Sequence, residues 1–132
     1  MLNRRHIQMG INLLTSTHLN KEFFYYLRNH YQWLRFNKEK QLTIPYPTGL
    51  MLELTNRCNL HCIICPREYI YGKQMDQGCM PLEKAKQIID EIYPYLDSIG
   101  LTGLGETFLY PHLAEIVQYI KQKRKGIQIT LS

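Results

Sequence analysis

From Gly49 onward, short apolar runs alternate with longer amphipathic ones, and that order restricts the fold more than any other feature of the chain. Leu50–Thr55 is brief, apolar and alternating, the pattern of a strand. Pro81 sits at a predicted first helical position, and Leu82, Ala85, Ile88, Ile89 and Ile92 form a helical stripe that Pro94 ends. Ser98–Thr102 reads as a second strand. Pro111 then opens a helix with Leu113, Ile116, Val117 and Ile120 on one face. Lys121, Lys123, Arg124 and Lys125 crowd its C-terminal end, where cations suit the helix dipole, and Gly126 is expected to stop it. Ile127–Leu131 supplies a third strand. Strand–helix–strand–helix–strand predicts an α/β fold with parallel pairing and right-handed crossovers.

Residues 1–48 differ in character from this unit, which occupies 49–132. They carry seven Lys or Arg against Glu22 and Glu39, whereas the remainder holds nine basic and nine acidic residues. The net charge of +5 therefore belongs to the N-terminal extension. Leu19, Phe23, Leu27, Tyr31 and Leu34 recur with helical spacing, with Asn20 as a candidate cap, and Pro45–Gly49 reads as a linker. Basic residues interleaved with Phe23, Phe24, Tyr25, Tyr26, Tyr31, Trp33 and Phe36 could bind RNA or a membrane surface. The helical spacing favours a helix that packs its aromatic face on the rest of the chain.

At 132 residues, 45% hydrophobic and 20% charged, the chain has the composition of one globular domain and not of a disordered one. No apolar run approaches the roughly 18 residues that span a bilayer. Arg4 and Arg5 precede Ile7–Leu14 as in a leader, but Gln8, Gly10 and Asn12 interrupt that run, so a cytoplasmic protein is expected. In a reducing compartment, three cysteines within eight residues point to metal binding more than to disulfides.

Those cysteines form Cys58-Asn-Leu-His-Cys62-Ile-Ile-Cys65, directly after the first predicted strand. Three thiolates can bind three irons of a cubane cluster, which ordinarily takes four. The remaining iron then keeps an open position for a substrate or cofactor. Loops after parallel strands lie at the C-terminal sheet edge, where α/β folds place their sites.

The string resembles the signature of the radical S-adenosylmethionine (radical SAM) superfamily, which follows the first strand of a partial (βα)6 barrel. The resemblance implies that Cys58, Cys62 and Cys65 ligate a [4Fe–4S] cluster whose unique iron binds the amino and carboxylate groups of S-adenosyl-L-methionine. It further implies an electron donor that reduces the cluster, and cleavage to a 5′-deoxyadenosyl radical that abstracts hydrogen from a substrate. Ile64 stands where the family usually has an aromatic residue whose backbone contacts the adenine. After the second strand, Gly103-Leu104-Gly105-Glu106-Thr107 is similar to the family's Gly-x-Gly-Glu-Pro motif, with Thr107 in place of proline. Glycines admit close approach of a ligand, and the Glu106 carboxylate can pair with the cofactor's ammonium. Ser132, at the end of the third strand, is a weaker candidate for a cofactor contact. The resemblance covers roughly Leu50 to Ser132, hence three strands and two crossover helices of the barrel, behind an N-terminal helical extension.

The competing expectations are a non-catalytic zinc or iron–sulfur module, with Cys79 or His61 as fourth ligand, and an inactive fragment of a longer enzyme. The C-x3-C-x2-C spacing, with no second two-residue knuckle, favours the cluster over zinc. Cys79 then reads as an incidental thiol and His61 as a solvent-facing loop residue. Glu53 could face the barrel interior as a polar contact, with pairing to a nearby Lys or Arg the favoured expectation. Arg57 and Arg67 flank the cysteines, either as ordinary surface residues or as charges that would raise a cluster's potential. Substrate turnover is expected to need sequence beyond Ser132.

Overall fold

A computed structural model describes residues 21–39 and 44–132. Three parallel strands, β1 (Gly49–Met51), β2 (Ser98–Leu101) and β3 (Gln128–Leu131), form one sheet in the order β1-β2-β3. Leu50 lies opposite Ile99 and Ile99 opposite Ile129, so one apolar row crosses all three strands. Among the described residues four α-helices accompany the sheet: α1 (Lys21–Glu39), the single turn α2 (Ile70–Lys73), α3 (Leu82–Ile92) and α4 (Leu113–Lys123). The architecture is α/β and compatible with part of a barrel.

α3 and α4 cover one face of the sheet because both carry apolar residues at helical spacing. Ala85 and Ile89 of α3, and Ile116 and Ile120 of α4, are fully buried with Ile99, Leu101, Leu96 and Ile127. Burying each such Ile or Leu stabilises the fold by about 1.5–3 kcal/mol. The expected stripes are thus the ones that form the core.

Several boundaries differ from the sequence reading. The first strand pairs with β2 only over Gly49–Met51, with one further bond from Leu52 N to Gly100 O at 2.8 Å. Beyond it the chain stays extended but turns to the segment before α3, bridging Thr55 to Cys79 and accepting Met80 N at Leu54 O, 2.7 Å. Pro81 caps α3 from outside, and Pro111 lies in a turn ahead of α4, which begins at Leu113 after His112. α4 ends at an extended Arg124 (φ −155°, ψ 114°), so Gly126 is not its stop.

The helical extension is α1, but its inner face is not the one the spacing indicated. Tyr26 and Asn29 are buried, while Leu27, Tyr31 and Leu34 are exposed. Leu19 and Asn20 lie outside the described residues. The face is chosen by polar pairing. Tyr26 Oη donates to Asp97 Oδ1 at 2.8 Å, and Asn29 Nδ2 and Trp33 Nε1 donate to Tyr46 O at 3.0 and 2.8 Å. Tyr46 in turn stacks on Tyr95 with ring centres 4.1 Å apart. Arg124, buried, places its guanidinium 4.7 Å from the Tyr26 ring centre. Burial pushes the Tyr26 hydroxyl well above its ordinary range, helped by the bond to Asp97. Burial likewise lowers the Arg124 guanidinium, against the pull of Tyr26 and Asp97. Tyr46, Asp97 and Arg124, the partners of α1, all precede strands, so α1 docks at the N-terminal edge of the sheet. None of the described helices is long and apolar enough to cross a membrane.

Candidate metal and ligand site

At the opposite edge the three strands deliver their C-terminal ends together, since parallel strands all exit on one side. The chain after β1 runs into the cysteine loop, β2 leads into Gly103–Thr107, and Ser132 follows β3. The side chains of Ser132 and Thr102 are hydrogen-bonded to one another.

All three loop cysteines are free thiols, Cys58 and Cys65 half-buried and Cys62 exposed. Cys65 N donates to Cys62 O at 2.9 Å, closing a turn between the last two. Leu60 N points its hydrogen at Cys58 Sγ across 3.4 Å, the contact that stabilises a thiolate. Among the described residues no three His, Cys, Asp or Glu side chains stand together as a metal site would require. The donor set nevertheless fits an iron–sulfur cluster, because three unpaired thiols share one short, solvent-reached loop and one already receives an amide hydrogen. The loop is laid open: Ile63 and Ile64 are 90% and 89% exposed.

The glycine-rich loop is stitched directly to this segment. Glu106 N donates to Arg57 O at 2.8 Å, one residue before Cys58. Gly105 lies so close that a Cβ there would stand 2.1 Å from Thr55 O and 2.7 Å from Arg57 O. Only a residue without a side chain allows that contact. The Glu106 carboxylate accepts from Phe108 N at 3.1 Å, capping the short turn Thr107–Leu109. Thr107 is buried, and its hydroxyl lies 2.7 Å from Leu101 O and 2.8 Å from Ser132 O, tying the ends of β2 and β3 together.

Other residues fall as follows. Among the described residues Glu53 forms no ion pair with a Lys or Arg, contrary to expectation; its Oε1 accepts from Leu104 N at 2.6 Å. His61 is 84% exposed and faces Glu68, as a solvent-facing loop residue would. Cys79 donates its Sγ hydrogen to Thr55 Oγ1 at 3.3 Å. Thr55 is a hub that the sequence did not flag: its hydroxyl also donates to Gly78 O and accepts from Arg57 N. Arg57 is exposed beside Cys58. Arg67 lines a largely apolar cleft of ≈ 330 Å³ with Pro66, Tyr69, Tyr71, Met75 and Leu104. No signal in a single sequence marks a threonine as a hub, because two of its three partners, Gly78 O and Cys79 Sγ, lie 23 and 24 residues along the chain.

Part of this chain is similar to curated proteins of unlike description. The antilisterial bacteriocin subtilosin biosynthesis protein AlbA of Bacillus subtilis is 31% identical over 86 residues, covering 64% of this chain and 18% of its own. The tungsten-containing aldehyde ferredoxin oxidoreductase cofactor-modifying protein of Pyrococcus furiosus is 32% identical over 83 residues, covering 61% and 22%. Fe-coproporphyrin III synthase of Methanosarcina barkeri is 26% identical over 100 residues, covering 75% and 22%. The matches span about a fifth of each relative's length. No family model and no solved structure matches the chain.

Proposed function

We propose that this chain, being a relative of the radical SAM proteins, holds a [4Fe–4S] cluster on Cys58, Cys62 and Cys65 and S-adenosyl-L-methionine against Gly103, Gly105 and Glu106. The observation that carries this reading is the stitching of two loops at one sheet edge, Glu106 N to Arg57 O at 2.8 Å. That bond holds the backbone of Glu106 at the start of the cysteine loop, so that one ligand could reach both loops.

When bound, the pair would supply an electron and a carbon-centred radical for hydrogen abstraction from a substrate. The chain's own residues do the holding. Three thiolates would leave one iron free for the amino-acid end of the cofactor. Leu60 N–H favours the thiolate at Cys58. The Glu106 carboxylate, fixed by Phe108 N–H, would take the cofactor's ammonium in a charge-assisted bond. Gly103 and Gly105 let the loop backbone pack against Glu53, Thr55 O and Arg57 O, which would present that backbone to the cofactor, and Ile64 would offer its backbone to the adenine. The protein would act as an enzyme with an electron donor as partner. The relatives' names concern a bacteriocin, an enzyme cofactor and an iron porphyrin, three unlike products, so no substrate is carried over.

Anaerobic reconstitution tests the reading. About four irons per chain are expected, the content of a cubane cluster. Alanine at Cys58, Cys62 or Cys65 should abolish uptake, whereas Cys79→Ala should not. Stoichiometric zinc without iron uptake would overturn the assignment. Glu106→Gln should leave iron content intact and weaken cofactor binding by about 1.5–3 kcal/mol, the range for a bond to a charged group.

A further inference from the structure

We infer that Glu53 is the positioning residue of the glycine-rich loop, and that it acts as a hydrogen-bond acceptor and not through its charge. Leu52 and Leu54 are buried toward α3 and α4, so the strand alternation turns Glu53 to the other face of the sheet. That face is the polar one. Gly100, Thr102, Thr130 and Met51 meet on it: a Cβ at Gly100 would lie 3.4 Å from Thr130 Oγ1, 3.6 Å from Thr102 Cγ2 and 3.7 Å from Met51 Cγ.

Glu53 reaches from there over the loop. Its Oε1 accepts Leu104 N at 2.6 Å. Its Cγ and Cδ occupy the space a Cβ at Gly103 would need, at 2.4 and 2.5 Å. Among the described residues it forms no ion pair, so a salt bridge does not explain a carboxylate at this place. The rest of the loop is held from other sides, Glu106 N on Arg57 O and Thr107 Oγ1 at the ends of β2 and β3. Leu104 stands between two glycines, the residues that lose most freedom on ordering. The bond to Glu53 is what fixes this half of the loop. Fixing it before a ligand arrives removes an ordering cost from binding. This last step rests on the cofactor reading above; the anchoring of the loop does not.

The test uses the full chain with Glu53→Ala and Glu53→Gln, the amide oxygen of Gln being able to accept the same hydrogen. Two quantities are read: hydrogen exchange at the Leu104 amide, and S-adenosyl-L-methionine affinity of reconstituted protein by calorimetry, with iron counted in each sample. Glu53→Ala should speed exchange and weaken affinity by about tenfold each, the upper end for one lost ordinary hydrogen bond. Iron content should not change, and Glu53→Gln should stay within about twofold of wild type on both readings. Unchanged Leu104 exchange in Glu53→Ala overturns the anchor. Equal impairment in Glu53→Gln overturns the acceptor role in favour of the charge. If wild-type protein takes up no S-adenosyl-L-methionine, the cofactor reading fails alone, and the exchange arm still decides the role of Glu53.

Discussion

Thr107 carries at one position what two strand ends require. Its single hydroxyl proton is shared between Leu101 O and Ser132 O in a buried setting. Thr107→Val is therefore expected to cost about 1–2 kcal/mol, read by denaturant unfolding. Thr107→Pro, which restores the residue of the radical SAM motif, should destabilise as well, because proline removes the same hydroxyl. Tyr26 is the counterpart at the other sheet edge. Tyr26→Phe loses the bond to Asp97, and about 1.5 kcal/mol is expected, the lower end for a bond to a charged group. The sign of its pH dependence follows from the raised hydroxyl. Folding favours the neutral form, so the stabilisation is complete below pH 10 and is lost as the pH rises past it. Stability measured from pH 9 to 11 should therefore fall less steeply in Tyr26→Phe than in wild type.

Among the elements, the two glycines of opposite fate make a direct test. Gly105→Ala would force a Cβ to within 2.1 Å of Thr55 O, separating the glycine-rich loop from the cysteine loop. About 1–3 kcal/mol of stability should go, the usual cost of overpacking, together with protection of the Glu106 amide. Gly126→Ala meets nothing within 4 Å, and should be neutral or stabilising by about 0.4–1 kcal/mol in thermal unfolding. The helices and strands from Leu50 onward were legible because their burial follows period and apolarity: Ala85, Ile89, Ile116 and Ile120 are the innermost residues of the stripes read from sequence. The orientation of α1 was not. It is set by hydrogen bonds from Tyr26, Asn29 and Trp33 to acceptors at Asp97 and Tyr46, and an apolar pattern carries no information about such partners. The same holds in the candidate site, where the cysteine and glycine spacings were visible but the acceptor role of Glu53 and the hub at Thr55 were not.

For the molecule as a whole, β1 and β3 each pair only with β2 among the described residues, leaving two sheet edges open. Parallel sheets are normally covered on both faces, and open edges template association. Around the site Met51, Ile63, Ile64, Ile70 and Phe108 are all at least 69% exposed. The 132-residue chain is therefore expected to self-associate, which size-exclusion chromatography with light scattering at rising concentration would register. A strict monomer with a cooperative melting transition would show instead that the edges are tolerated. The stitching of the two loops has a consequence in time as well as in space. Glu53 and Leu104 are 51 residues apart along the chain, and that contact can exist only after β1 and β2 have found each other. Contacts of such sequence separation form late, because the loop between them must first be closed. Under the function proposed above, cofactor assembly would be a step of maturation and not of nucleation: the polypeptide completes its sheet, and only the finished edge would be ready to be loaded.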